Sequence, residues 1–115
     1  MDLKTYLARH PEIFVGLKKG CIINYRVEGN KFHVKIGDVV EVADGLAENA
    51  ALEIRVSRSA ERRLVEVSPE DYPRVFGELF LSPQGDSWIE IELMKPMEEL
   101  LEKGYGEWAR KAGVM

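Results

Sequence analysis

The chain carries one cysteine, Cys21, and two histidines, His10 and His33. A single cysteine cannot close a disulfide within the chain, so the expected compartment is a reducing one, the cytoplasm. Neither histidine has a partner at metal-ligand spacing, so no zinc or non-haem iron centre is expected, and no cofactor. A surplus of positive charge is also missing: 16 Lys and Arg stand against 20 Asp and Glu, a net charge of -4. That balance argues against nucleic acid as a partner. Long apolar runs are absent. The longest, around Ile13–Val15 and Phe80–Leu81, are far too short to cross a bilayer. The first residues lack the apolar stretch of a secretion signal, and Gly113-Val114-Met115 holds no lipidation motif. The whole chain is therefore expected to be mature and intracellular, with no integral membrane segment.

What is present is enough for one core. The 115 residues are 45% hydrophobic, which suits one folded domain and excludes a disordered chain. Leu3, Tyr6, Leu7, His10, Ile13, Phe14 and Leu17 recur at helical spacing, with Asp2 as an N-cap and Pro11 dividing the stretch into two short helices. Lys18-Lys19-Gly20 stops that segment. From Cys21 the period changes to two. Cys21, Ile23, Tyr25 and Val27 share a face, and after the turn at Glu28-Gly29-Asn30 so do Phe32, Val34 and Ile36. A short strand follows through Val39, Val40 and Val42, then a loop through Asn49 without periodicity, then a strand with Leu52, Ile54 and Val56 inward. One wet face per strand is the mark of an antiparallel sheet whose other face is covered by helices.

Ser57 or Ser59 caps a short helix carrying Leu64 and Val65, and Ser68-Pro69-Glu70-Asp71 reads as the start of another. Tyr72, Val75, Phe76, Leu79 and Phe80 form its apolar stripe. Ile89, Ile91 and Leu93 alternate with Glu90 and Glu92 in the clearest strand. Pro96 opens a last helix in which Met97, Leu100, Leu101, Tyr105, Trp108 and Ala109 share a face, with a bend at Gly104 and Gly106. The expected organisation is one domain over 1–115: a helical segment over 1–19, four strands within 20–57, helices over 58–81, a strand over 87–94 and a helix over 96–113. The class is α+β, a five-stranded antiparallel or mixed sheet with helices packed on one face.

The residues that carry chemistry do not assemble into a reaction. Cys21 opens a strand on its apolar face and reads as a buried, inert thiol. Glu90 and Glu92 belong to a polar sheet face, and Glu98, Glu99 and Glu102 to the first turns of a helix, where its dipole favours them. Arg58, Arg62 and Arg63 lie among Glu61 and Glu66 and read as a salt-bridged solvent face, with an anionic head group as the rival reading. What stands out is bulk: Phe14, Tyr72, Phe76, Phe80, Met94, Met97, Tyr105 and Trp108 sit on or beside helices flanking the sheet, the material of an apolar pocket.

The order of elements resembles the sterol carrier protein 2 family of lipid-binding domains. Tyr25-Arg26-Val27-Glu28-Gly29, Phe32-His33-Val34-Lys35-Ile36, Val40 to Gly45 and Ala51-Leu52-Glu53-Ile54-Arg55-Val56-Ser57 carry the resemblance. It spans the chain from Gly20 to the last helix, as a pattern of strands and turns without a catalytic signature. Where the family has a glycine-lysine-leucine strand and a glycine-aspartate turn, this chain runs Trp88 to Met94 into Pro96. Its final stretch, Met97 to Gly113, is long and reads as a lid or packing partner.

The resemblance implies reversible binding of a fatty acid, acyl chain or sterol-like lipid between sheet and helices, by burial and without bond-making. The residues expected to line the site are Phe14, Ile23, Tyr25, Val34, Ile54, Tyr72, Phe76, Phe80, Ile91, Met97, Leu101 and Trp108. Each buried methylene contributes about 0.8 kcal/mol to binding. An empty pocket of roughly 300 Å³ costs about 7 kcal/mol, so the pocket is expected to be lipid-filled or partly collapsed. Two rival readings stand beside the non-catalytic carrier. One is a homodimeric interaction module pairing through Tyr72–Phe80 or the last helix. The other is a small-molecule enzyme whose polar residues converge only in three dimensions.

Overall fold

The computed structural model describes residues 1–114. The period-two stretches form strands β1 (Ile22–Val27), β2 (Asn30–Ile36), β3 (Val40–Asp44), β4 (Leu52–Val56) and β5 (Ile89–Leu93). They make one five-stranded sheet of order β3-β2-β1-β4-β5. β1 and β4 run parallel, and every other neighbouring pair is antiparallel. The sheet is therefore mixed and the class α+β. β1 is central, where Tyr25 stands between Phe32 of β2 and Ile54 of β4. The β1–β2 hairpin closes through Glu28 and Gly29, both at positive φ (40° and 84°). Two left-handed residues in succession match the strand twist, and glycine takes the second position without strain.

The described residues form five helices, α1 (Leu3–Arg9), α2 (Arg58–Val65), α3 (Tyr72–Leu81), α4 (Met97–Glu102) and α5 (Tyr105–Lys111), with a 3₁₀ turn at Pro11–Phe14. Asp2 caps α1 by accepting from Thr5 N, and Ser57 caps α2 by accepting from Ala60 N. α3 starts later than its sequence signal. Ser68 to Asp71 form a separate turn, in which the Ser68 carbonyl accepts from Asp71 N and Tyr72 N, each at 3.0 Å. The helix then opens at Tyr72, with Pro73 still in the first turn, where no backbone donor is needed. The stretch expected to be one C-terminal helix over 96–113 is two. Gly104, at φ 96°, ends α4 and begins α5. A side chain there would run into the Gly16 carbonyl, so only glycine permits this close approach.

The helices cover one sheet face. Ile23, Tyr25, Val27, Phe32, Val34, Ile54 and Val56 pack there beneath Leu3, Leu7, Leu64 and Leu79 in a continuous buried cluster. The opposite face carries charge: Arg26 and Arg55 both pair with Glu53 (3.1 and 2.6 Å), and Arg55 also meets Glu92. Asn24 on that face binds the backbone N–H and C=O of Ala47, each at 2.9 Å. Those bonds pin the aperiodic segment between β3 and β4 against the sheet.

Long-range polar contacts hold helices to the body, among them the Tyr6 hydroxyl of α1 donating to the Val67 carbonyl at 2.8 Å. Glu61 of α2 is buried, and its carboxylate accepts from Leu3 N at 2.8 Å, satisfying a donor at the start of α1. Trp108 of α5 donates through Nε1 to the Ile13 carbonyl at 2.9 Å, with its ring stacked on Phe14 at 6.1 Å.

Candidate functional site

The helical stripe of α3 places Tyr72, Phe76 and Phe80 one turn apart along one face. Opposite them, Ile91 and Leu93 of β5 and Leu52 of β4 project from the sheet. α4 contributes Met97, Leu100 and Leu101, and α5 contributes Tyr105, Trp108 and Ala109. Between these elements lies a cavity of about 350 Å³, completed by Ile13, Pro73, Gly106, Ala112 and Val114. Its volume falls in the range of small-molecule sites.

Small residues make the space. Gly106, Ala109 and Ala112 follow one another at spacings of three on the cavity side of the C-terminal region, where longer side chains would have filled it. Gly77 supplies the matching close approach. A Cβ on Gly77 would collide with the Ala112 carbonyl, so the end of α5 rests directly against the α3 backbone. The wall is thus brought in by glycine while the interior is kept open by alanine.

Among the described residues, no charged side chain lines the cavity. At its entrance Leu93, Met97 and Leu101 are 49, 50 and 49% exposed, so the apolar surface continues from the interior to solvent. The aromatic wall is ordered by ring contacts: Tyr72 lies 5.7 Å from Tyr6 and 6.0 Å from Phe76, and Trp108 lies 6.4 Å from Phe76. The Trp108 N–H is already bonded to Ile13. The hydroxyls of Tyr25, Tyr72 and Tyr105 are not: all three are buried without a hydrogen-bond partner of ordinary geometry among the described residues. Burial raises the pKa of each phenol above its ordinary value; Tyr72 and Tyr105 add to the effect at Tyr25, and Tyr6 adds at Tyr72. The Cys21 thiol beside Tyr105 pushes in the same direction. Sulfur is a weak partner, and this contact leaves the hydroxyl without a hydrogen bond of ordinary geometry.

Of the residues expected to line the site, the structure brings Tyr72, Phe76, Phe80, Ile91, Met97, Leu101 and Trp108 together around the cavity. Ile23, Tyr25, Val34 and Ile54 lie instead in the solid part of the core, fully buried beneath other side chains. Phe14 is buried against the ring of Trp108 and does not reach the cavity. Met94 is exposed outside it. Ile13, Leu52, Pro73, Leu93 and Leu100 joined the lining unforeseen, as did Gly106, Ala109, Ala112 and Val114. Tyr105, noted for its bulk, belongs to the lining as well. The spacing of Tyr105, Ala109 and Ala112 with Trp108 was the available signal.

The remaining candidates are accounted for locally. His33 Nδ1 lies 2.9 Å from the Gly45 carbonyl, and His10 packs on the Tyr6 ring near Glu12. Cys21 is buried, its thiol donating to the Lys103 carbonyl at 3.7 Å. Arg58 pairs with Glu61 at 3.7 Å, and the polar cleft that Arg58 and Arg62 line also contains Glu28 and Asp86. Among the described residues, no group of three or more His, Cys, Asp or Glu is placed to hold a metal ion. Among the same residues, no helix is long and apolar enough to cross a membrane.

No family model matches the chain, and no curated protein matches it. Among solved structures it is similar to a chain described as a UbiJ-SCP2 ubiquinone synthesis protein. The two share 18% sequence identity and superpose with a TM-score of 0.51, over 96% of this chain and 88% of that one. At this identity the likeness is one of fold: the chain has the α+β architecture of sterol carrier protein 2-like domains.

Proposed function

We propose that this protein binds a lipid reversibly in the cavity between β4, β5 and helices α3 to α5, as a carrier and not as a catalyst. The observation that carries this reading is a cavity of about 350 Å³ whose lining, among the described residues, contains no charged residue and whose entrance is apolar. Such a site extracts apolar surface from water at about 25 cal/mol per Å² and offers no nucleophile or acid–base pair. The fold likeness supports the reading, since the neighbour is described as an SCP2 ubiquinone synthesis protein. Location in the cytoplasm accords with the lone buried thiol.

Native mass spectrometry of freshly purified protein, with displacement of an apolar fluorescent dye, tests this. A co-purifying lipid mass, or dye release by a long-chain lipid in one-to-one stoichiometry, is the expected result. A bare mass with a dye that neither binds nor is displaced would overturn it. Sedimentation across a concentration series addresses the homodimer reading, in which the exposed Met97 and Leu101 pair with a second copy.

A further inference from the structure

Among the described residues, the cavity presents no free side-chain N–H or O–H and no carboxylate or amide. Tyr72, Tyr105 and Trp108 are the lining residues that carry such groups. The Tyr72 and Tyr105 hydroxyl oxygens have essentially no accessible surface, so the rings face the space and the hydroxyls do not. Trp108 Nε1 is committed to the Ile13 carbonyl. A polar head drawn inside would therefore lose its water without replacement. At the entrance the reverse holds. Leu93, Met97 and Leu101 are half-exposed, so a head held there stays hydrated while the chain behind it runs inward.

Volume limits what the chain can be. A methylene takes about the room of a liquid water molecule, about 30 Å³, so a cavity of about 350 Å³ holds about twelve carbons. A sterol with its side chain, or two such acyl chains, needs about twice that space by the same measure. We propose that the site takes one hydrocarbon chain of about twelve carbons, tail first, from a single-chain amphiphile whose head stays in water at the entrance. This rests on the lipid-binding reading above. Recognition then lies in the chain. Each methylene that enters is moved from water onto Phe76, Phe80 and the small residues of α5, and strengthens binding until the cavity is full. Carbons beyond that number remain at the mouth and add little. Sterols and two-chain lipids are excluded by size.

Dye displacement at neutral pH reads Kd for the carboxylates from octanoate to hexadecanoate and for alkylphosphocholines of the same lengths, each below its critical micelle concentration. Kd is expected to fall about fourfold per methylene and to level off near dodecyl in both series, because both heads lie outside. Dehydroergosterol, read by its own fluorescence, should show no saturable binding. Ala109→Leu fills part of the space and should move the levelling point about three carbons shorter, whereas Phe80→Ala enlarges the space and should move it longer. Circular dichroism and thermal melts show which variants are folded, and either one suffices. A merely structural defect would weaken all chain lengths alike and leave the levelling point in place. Carboxylates that bind where the phosphocholines do not would overturn the tail-first arrangement. Affinity still rising at hexadecyl, sterol binding as tight as that of dodecanoate, or a levelling point unmoved in every folded variant would overturn the size limit. Binding of neither series nor of the sterol would overturn the lipid reading itself.

Discussion

Filling the cavity from α5 separates a binding site from a packing defect. Ala109 is half-buried and points its methyl group at the open volume. At about 24 cal/mol per Å³, a cavity of about 350 Å³ costs up to about 8 kcal/mol when empty. That compares with a typical total stability of about 5–15 kcal/mol. Ala109→Leu adds three carbons to that space. Full burial contributes about 0.8 kcal/mol per carbon, about 2.4 kcal/mol in all, and the open entrance reduces the gain to about 1 kcal/mol. The melting temperature of the ligand-free protein should then rise by about 4–6 °C. The volume taken is lost to the lipid, so affinity should fall by about ten- to fiftyfold. Differential scanning calorimetry of delipidated protein reads the first effect and dye displacement reads the second. Lys111→Leu, on the exposed side of the same helix, controls for helix propensity. A variant that melts lower than the wild type and binds lipid as tightly would refute the assignment of this volume as the binding site.

The other predictions concern what holds the site in place. Glu61→Ala leaves Leu3 N without its acceptor and should cost about 1–3 kcal/mol in urea denaturation. Glu61→Gln, which keeps an acceptor oxygen, should recover part of that loss. Gly77→Ala forces α5 off α3 at the Ala112 carbonyl, and should both lower the melting temperature and weaken lipid binding. Equal binding in that variant would show that the α3–α5 contact does not shape the cavity. Glu53 gives a pH dependence: burial opposes its charge, but Arg26 and Arg55 outweigh it and hold its pKa below the ordinary value of 4.5. Its contribution is therefore complete above that pH and is lost as the pH falls through the depressed folded value. The stability difference between wild type and Glu53→Gln should shrink as acid titrations pass below pH 4.5, and a constant difference would refute this.

The strands were legible because alternation reports directly on burial. Ile23, Tyr25 and Val27 on β1, and Ile89 and Ile91 on β5, announce which face is covered. The caps were legible for the same local reason, since Asp2 and Ser57 act within three residues of themselves. Register and order were not. That β4 lies beside β1 in parallel depends on a crossover through β2 and β3, which no local pattern encodes. The break at Gly104 was visible as a weak helix position. Its cause, the carbonyl of Gly16, comes from a distant part of the chain.

The same limit decided the site. By itself the sequence determined that Tyr25, Val34, Ile54, Tyr72, Phe76 and Trp108 would face inward, because periodicity marks apolar faces; all but the half-buried Trp108 are buried. Only the tertiary structure decided which of those faces meets another side chain and which meets open space. Tyr25, Val34 and Ile54 face a filled core, whereas Tyr72, Phe76 and Trp108 face a cavity. That difference is set by what stands opposite: alanines and a glycine on the C-terminal helical segment, held close by Gly77, across from aromatics on α3. The scarcity of cysteine and histidine left the chain without an evident reaction, and what the tertiary structure added was an apolar space, not a polar constellation.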